Sequence, residues 1–216
     1  MAGCGWRPAY NPWGDAMTSV LVVYATRHGA TKGIAERIGT VLANEGVVCT
    51  VASAEESPDP SNADACIVGS GVYMGSWLGE GTDYLARHVS SLSRIPVWLF
   101  SSGPLPGSSK STEGADALAD ALGPADGPGS GGRKKVQALS DQIHPRDHKV
   151  FLGAYDPTDP PRSIPERVLR MLPASKNILP VGDFREWDVI EAWARGIAGE
   201  LVAKPVAAKE TIAAPA

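Results

Sequence analysis

The chain has 216 residues, 43% of them apolar and 20% charged, with a formal net charge of −4. That length and balance suit one α/β domain with a substantial core. They exclude a nucleic-acid binder, which needs clustered Lys and Arg, since the longest basic run is Arg133-Lys134-Lys135; a spanning helix is excluded as well, because no apolar run approaches the roughly 18 residues it requires.

In chain order, residues 1–17 hold Gly, Pro and Trp without a continuous apolar stretch. They read as a disordered extension and not as a leader. Ser19–Ala25 (SVLVVYA) is a β-branched apolar run of the kind covered on both faces of a parallel sheet. The turn Thr26-Arg27-His28-Gly29-Ala30-Thr31 follows. Ile34, Ile38, Val41 and Leu42 then mark an amphipathic helix over Lys32–Glu45, with Gly46 at its C-cap. Val47–Ala52 is a second strand and Ala63–Val72 a third. Trp77–Leu92 is a second helix, Ile95–Ser101 a fourth strand and Val150–Ala154 a fifth. The last helix spans Trp187–Ala203, with Val189, Ile190, Trp193, Ile197 and Leu201 as its stripe. Residues 204–216 are rich in Ala, Pro and Lys and read as a disordered tail.

Strands alternating with helices predict βαβ units and a doubly wound parallel sheet of five strands over residues 18–203. The insertion 103–148 breaks the rhythm. Its Gly/Ser-rich stretches are flexible by composition, and helices are expected over Lys134–Ile143 and Gly114–Leu122. A further short helix is expected over Pro165–Leu172.

The chemistry lies where the first strand gives way to the first helix. A helix N-terminus carries unpaired N–H groups and a partial positive charge, so a phosphate placed there is held by backbone donors. Thr26 and Thr31 add hydroxyls, Gly29 lets the backbone turn close to the anion, and Arg27 can add charge. The loop is neither G-x-x-x-x-G-K-[ST] nor G-x-G-x-x-G, and a plain capped βα turn stays open as the alternative. The third strand ends in Ser70-Gly71-Val72-Tyr73-Met74-Gly75-Ser76-Trp77 and the fourth in Ser101-Ser102-Gly103. Small residues and the aromatic Tyr73 and Trp77 at those ends offer close backbone approach and a flat stacking wall. Gly71 and Gly75 also leave room for a backbone flip there. Trp98 reads as core. Gly182-Asp183-Phe184-Arg185-Glu186-Trp187-Asp188 reads as the cap of the last helix, with Asp183 or Asp188 at the N-cap and Phe184 and Trp187 packing.

The remaining signals are bland. Cys4, Cys49 and Cys66 form no CxxC pair, and Cys49 and Cys66 read as small buried hydrophobes. An odd count without a framework suits a reducing cytoplasm. The histidines show no zinc spacing, so no metal is expected, and His144 and His148 read as surface residues beside a polar turn. No G-x-S-x-G elbow is present.

On these residues the chain resembles the flavodoxin-like superfamily. Thr26, Gly29 and Thr31 match the hydroxyl, glycine and closing threonine of its phosphate loop, and His28 stands where a central threonine is usual. The run Thr26-Arg27-x-Gly29-x-Thr31, with residues 69–75 and 182–187, is similar to the flavodoxin-type, quinone-dependent protoporphyrinogen dehydrogenases. The resemblance implies a three-layer α/β sandwich with strand order 2-1-3-4-5 and FMN as cofactor. It puts the phosphate on Thr26, Arg27, His28, Gly29, Ala30 and Thr31. It puts the ring at Ser70, Gly71, Val72, Tyr73, Met74, Gly75, Trp77, Ser101, Ser102 and Gly103. It implies an oxidoreductase passing electrons from an organic donor, protoporphyrinogen IX, to a quinone, in the cytoplasm with at most peripheral membrane contact and with a homodimer allowed. A flavodoxin-type electron carrier and a flavin-free scaffold are the alternatives. No side chain is singled out as an essential acid or base.

Overall fold

The computed structural model describes residues 17–73, 75–103, 130–156, 158 and 181–203. The elements are β1 (Ser19–Ala25), α1 (Ala30–Asn44), β2 (Val48–Ser53), β3 (Ala65–Tyr73), β4 (Ser76–Trp77), α2 (Gly79–Leu92), β5 (Val97–Ser102), α3 (Ser130–Ile143), β6 (Asp147–Phe151), β7 (Ala154–Tyr155), β8 (Gly182–Asp183) and α4 (Trp187–Ala203). A 3-10 turn, Pro60–Asn62, lies between β2 and β3. The expected helices 114–122 and 165–172, and the terminal segments 1–16 and 204–216, fall outside the described residues.

The main sheet runs β2-β1-β3-β5-β6. All four of these pairings are parallel, and the short β4 folds back antiparallel on β3. This is the doubly wound order expected from the sequence, with β5 and β6 in the fourth and fifth places. β7 and β8 pair separately as an antiparallel ribbon.

The pleat sorts the first apolar run onto two faces. Val20 and Val22 enter one core with Ile34, Ile38 and Leu42 of α1 and Ile190, Ile197 and Leu201 of α4. Leu21 and Val23 enter the other with Tyr84 and Leu85 of α2 and Val136 and Leu139 of α3. A strand buried on both faces has no polar side to show, which is why its sequence does not alternate.

Two of the boundaries that differ from expectation bear on the site. β6 begins at Asp147, not at Val150. The triplet Asp147-His148-Lys149 looks polar, yet it pairs with Trp98, Leu99 and Phe100 of β5. α2 begins at Gly79, and Trp77 belongs to β4. Gly75 explains this second shift: its left-handed φ of 78° closes a tight turn between Tyr73 and Ser76, which a non-glycine residue would disfavour.

One glycine sets the packing on the α1/α4 face. A Cβ on Gly69 would lie 2.0 Å from Phe100 Cζ. The bare backbone lets the Phe100 ring lie across β3 and meet Phe151 and Trp193 at centroid distances of 6.0 and 6.3 Å. Cys66 is buried and Cys49 half-buried; burial pushes their thiols up to about 12 and about 11, so neither is a ready nucleophile.

Candidate functional site

The strands of a doubly wound sheet deliver their loops to the carboxyl edge. Here β1, β3 and β5 bring three of them together: the turn Thr26–Gly29, the β3–β4 hairpin, and Ser101–Gly103. The first reaches across to the second, and the polar side chains of the other two turn inward.

Gly29 is the N-cap of α1, with φ 85° and no side-chain cap. Its own N–H donates to Thr26 Oγ1 at 3.1 Å, which rounds the turn. Gly33 N–H donates to the Gly29 carbonyl at 3.0 Å, so the α-helical ladder starts there. The N–H groups of the first turn, ahead of that bond, have no intrahelical acceptor by helix geometry. α1 also has no acidic side chain in its first turn, whereas α2 has Glu80 and α4 has Asp188. Among the described residues no acidic side chain of the first turn offsets the positive end of α1.

Each predicted loop residue has a definite place. Gly29 is exposed, and Thr26, Arg27, His28 and Ala30 are half-buried. Thr31 is only 3% exposed. Its Oγ1 lies 3.2 Å from where a Cβ on Gly71 would stand, so it wedges α1 against the end of β3. A polar cavity of about 210 Å³ flanks the loop on the β2 side, lined by Thr26, Lys32, Ser53, Glu55 and Glu80 among others.

Arg27 crosses from this loop to the hairpin. Its guanidinium carbon sits 4.5 Å from the centroid of the Tyr73 ring. Tyr73 is half-buried and pairs with Ser76, so its ring is carried on a hydrogen-bonded ribbon. Val72 and Gly75 are half-buried there as well, and Met74 lies outside the described residues.

Trp77 does not supply a second stacking wall. It is 4% exposed and faces the α2/α3 core. Its Nε1–H donates to Ser101 Oγ at 2.8 Å, and Ser101 Oγ lies 2.9 Å from His148 Nε2. The Trp77 and His148 rings meet edge-on at 5.7 Å. Ser101 Oγ thus joins Trp77 to His148 Nε2, and the direction of its second hydrogen bond follows the imidazole tautomer. Burial pushes the His148 imidazole down to about 4, with neighbouring Asp147 opposing the shift. His148 is thus half-buried and engaged by Trp77 and Ser101, and not the free surface residue its polar flanks imply.

Ser70, Ser101 and Ser102 are buried, at 0%, 0% and 2% exposure. Ser70 Oγ accepts from Leu78 N–H at 3.0 Å and donates to the Gly71 carbonyl at 3.0 Å. Leu78 N–H also reaches the Gly71 carbonyl at 3.2 Å, so that carbonyl is held by two donors. Gly103, at φ 140°, presses against the Val72 backbone, where a Cβ would stand 3.0 Å from the carbonyl oxygen. These side chains brace the strand ends. What remains accessible toward a ring is Tyr73 and the backbone of the hairpin.

The 182–188 cluster is not a simple cap. Arg185 Nε and Nη2 donate to Asp183 Oδ1 and Oδ2 at 2.8 and 2.6 Å, and this pairing holds the Asp183 carboxyl below the usual range. Arg185 Nη1 reaches the Ala30 carbonyl at 3.4 Å. Its guanidinium stacks on Trp187 at 4.5 Å. The cluster therefore clamps the first turn of α1 from the side, across 155 positions of sequence. Residue spacing gives no sign of this contact. The available signal is Gly33: a Cβ there would stand 2.6 Å from Arg185 Nη1, and a glycine inside a helix needs such a packing reason.

A phosphate monoester carrying a flat ring fits these residues. The α1 terminus has no side-chain cap, and Tyr73 lies one arginine side chain away from it. Among the described residues no cluster of His, Cys, Asp or Glu could hold a metal ion, and no helix is long and apolar enough to cross a membrane.

Similarity to known proteins points the same way. A family model described as a flavodoxin domain matches residues 21–158. The protoporphyrinogen IX dehydrogenase [quinone] of Escherichia coli strain K12 is 25% identical over 83 residues, which is 38% of this chain and 46% of that enzyme; the chain is aligned to less than half of the relative's length. Among solved structures, rubredoxin oxygen:oxidoreductase from Desulfovibrio gigas is similar at a TM-score of 0.51 and 14% identity, covering 86% of this chain and 36% of that one. A flavodoxin from the domain Archaea is similar at 0.49 and 16%, covering 86% and 99%.

Proposed function

We propose, on the premise that this chain belongs to the flavodoxin domain family and is an FMN-binding electron-transfer protein, that Thr26–Thr31 holds the FMN phosphate and the β3–β4 hairpin its ring. We further propose that the protein is an FMN-dependent oxidoreductase that takes electrons from an organic donor, with protoporphyrinogen IX as the substrate to test, and passes them to a quinone. The observation that carries the site is the terminus of α1. It has neither a capping side chain nor an acidic first turn, and it stands at the same sheet edge as Tyr73. The E. coli relative's name supports the donor and acceptor.

Bound FMN supplies one- and two-electron chemistry that amino-acid side chains lack. The chain's own residues do the rest. The first-turn N–H groups of α1 bind the phosphate, and Thr26 keeps the turn in shape through Gly29 N–H. Tyr73 gives the ring a face, and Trp77, Ser101 and His148 hold the hairpin under it. Arg185 and Asp183 fix the first turn from the side. Among the described residues no side chain of the site is assigned as an acid or base, and His148 is engaged by Ser101 and Trp77.

The full-length protein tests this directly. It should take up FMN one to one and, under anaerobic conditions, oxidise protoporphyrinogen IX with a menaquinone as acceptor. Protein that takes up no FMN would overturn the site. FMN uptake without turnover of either compound, but with fast electron exchange to a protein partner, would favour a carrier.

A further inference from the structure

We propose that Arg27 is a phosphate-operated latch on the ring site. This rests on the reading that the α1 terminus binds phosphate and Tyr73 meets the ring. The guanidinium of Arg27 lies over Tyr73, 4.5 Å from the ring centroid, on the residue the flavin would stack against. A planar ring cannot share that face with a planar guanidinium, so it must displace Arg27.

The partners available to Arg27 decide when it leaves. Arg37, Arg185 and Arg195 are each held by a carboxylate. Among the described residues no carboxylate pairs with Arg27, and its guanidinium rests on the π face of Tyr73. A cation–π contact at a half-exposed tyrosine is weaker than a charge-assisted, bidentate bond from arginine to phosphate. Arg27 stands two residues before the N-cap Gly29, inside the loop that would hold the anion. A phosphate on the first-turn N–H groups therefore competes for the guanidinium and draws it off Tyr73. The same event that anchors one end of the cofactor uncovers the wall for the other.

The consequence is a coupling between two subsites. A flavin with a phosphate opens its own ring site; one without must displace Arg27 unaided. The site then discriminates FMN from riboflavin by more than the phosphate contacts themselves, which is a selectivity device built on a repulsive term as well as an attractive one.

Riboflavin and inorganic phosphate, offered separately to flavin-free full-length protein, test the latch without any turnover. In the wild type, saturating inorganic phosphate should tighten riboflavin binding about threefold, the range expected from releasing one exposed cation–π contact. In Arg27→Ala, riboflavin should bind about threefold tighter without phosphate and gain nothing when phosphate is added. FMN should bind about tenfold more weakly, through loss of the charge-assisted bond. An Arg27 that is merely a phosphate ligand would weaken FMN in the variant and leave riboflavin unchanged, and that result overturns the latch. So does riboflavin binding by the wild type that ignores phosphate. Tyr73→Leu gives a second check, since removing the π face should abolish the phosphate effect while Arg27 stays in place. A wild type that takes up no FMN would overturn the phosphate-site reading as well, whereas FMN uptake with phosphate-independent riboflavin binding overturns the latch alone.

Discussion

Two regions at the carboxyl edge of the sheet carry similar residues and use them in opposite ways. At the end of β1, Thr26, Arg27 and Gly29 form a turn whose helix is uncapped and whose glycine faces open space. At the ends of β3 and β5, Ser70, Ser101 and Ser102 are buried, and Ser70 and Ser101 are fully engaged. A hydroxyl at a strand end is thus not a site by virtue of position. Among the described residues no side chain caps the α1 terminus, which leaves it open to a ligand; the braced strand ends already have their partners and hold the geometry of the edge. Substitutions in the two regions should fail differently, the braced one in stability and the open one in binding.

The largest effect is expected at Gly69 in the braced region. Gly69→Ala would place a methyl group within 2.4 Å of three Phe100 ring atoms. The ring cannot stay across β3, and its contacts with Phe151 and Trp193 go with it. Overpacking of this kind should cost about 3 kcal/mol, the upper end of the usual range for an added methyl group in a packed core. Urea unfolding would show it as a lowered midpoint, with any protein that remains folded still taking up FMN. A midpoint within error of the wild type would mean that Phe100 has room the structure does not show.

Next comes the buried relay. His148 is neutral in the fold because burial lowers its imidazole from the ordinary 6.5 to about 4. A group whose folded pKa lies below its unfolded one leaves stability untouched above the unfolded value and erodes it as pH falls toward the folded one. Each tenfold change in proton affinity is worth about 1.4 kcal/mol, so the fold should lose about 3 kcal/mol from this group as the pH falls from roughly 6.5 to roughly 4. Asp183, held low by Arg185, adds an acid-labile contribution of its own. His148→Gln separates the two: it should flatten the decline in stability across that interval and leave the part due to the carboxylates. An equally steep decline in the variant would show that His148 is not its source.

These tests bear on what the sequence can reveal. The sheet order and both cores are legible in it, because a short, β-branched apolar run such as Val20–Val23, followed by a glycine turn, suits a strand covered on two faces. The turn from Thr26 to Gly29 is legible because a turn between such a strand and an amphipathic helix is a local event. His148 misleads for the opposite reason: its neighbours Asp147 and Lys149 are polar, and its partners Ser101 and Trp77 come from β5 and β4. Trp77 reads as a helix start because a hairpin of two-residue reach leaves little periodic trace. Arg185 against Ala30 leaves no trace in residues 182–188, which do not name the helix they clamp; its mark lies in α1, at Gly33.

The smallest effect should come from the open region, and it completes the contrast between two glycines. Gly29→Ala adds the same methyl group as Gly69→Ala, but nothing lies within 4 Å of it. Only the left-handed φ of 85° resists, and that strain amounts to about 1 kcal/mol for an L-residue. Asparagine tolerates this conformation better than other side chains, so Gly29→Asn should recover part of the loss. Thermal unfolding of the three proteins should therefore rank glycine, asparagine, alanine within a narrow range. FMN affinity should follow the same order, and Gly29→Val combined with Thr31→Ala should weaken it far more, because a branched side chain fits neither the turn nor the anion's approach. Affinity unchanged in that double variant would place the phosphate elsewhere, and the contrast between an open terminus and a braced edge would lose its functional half.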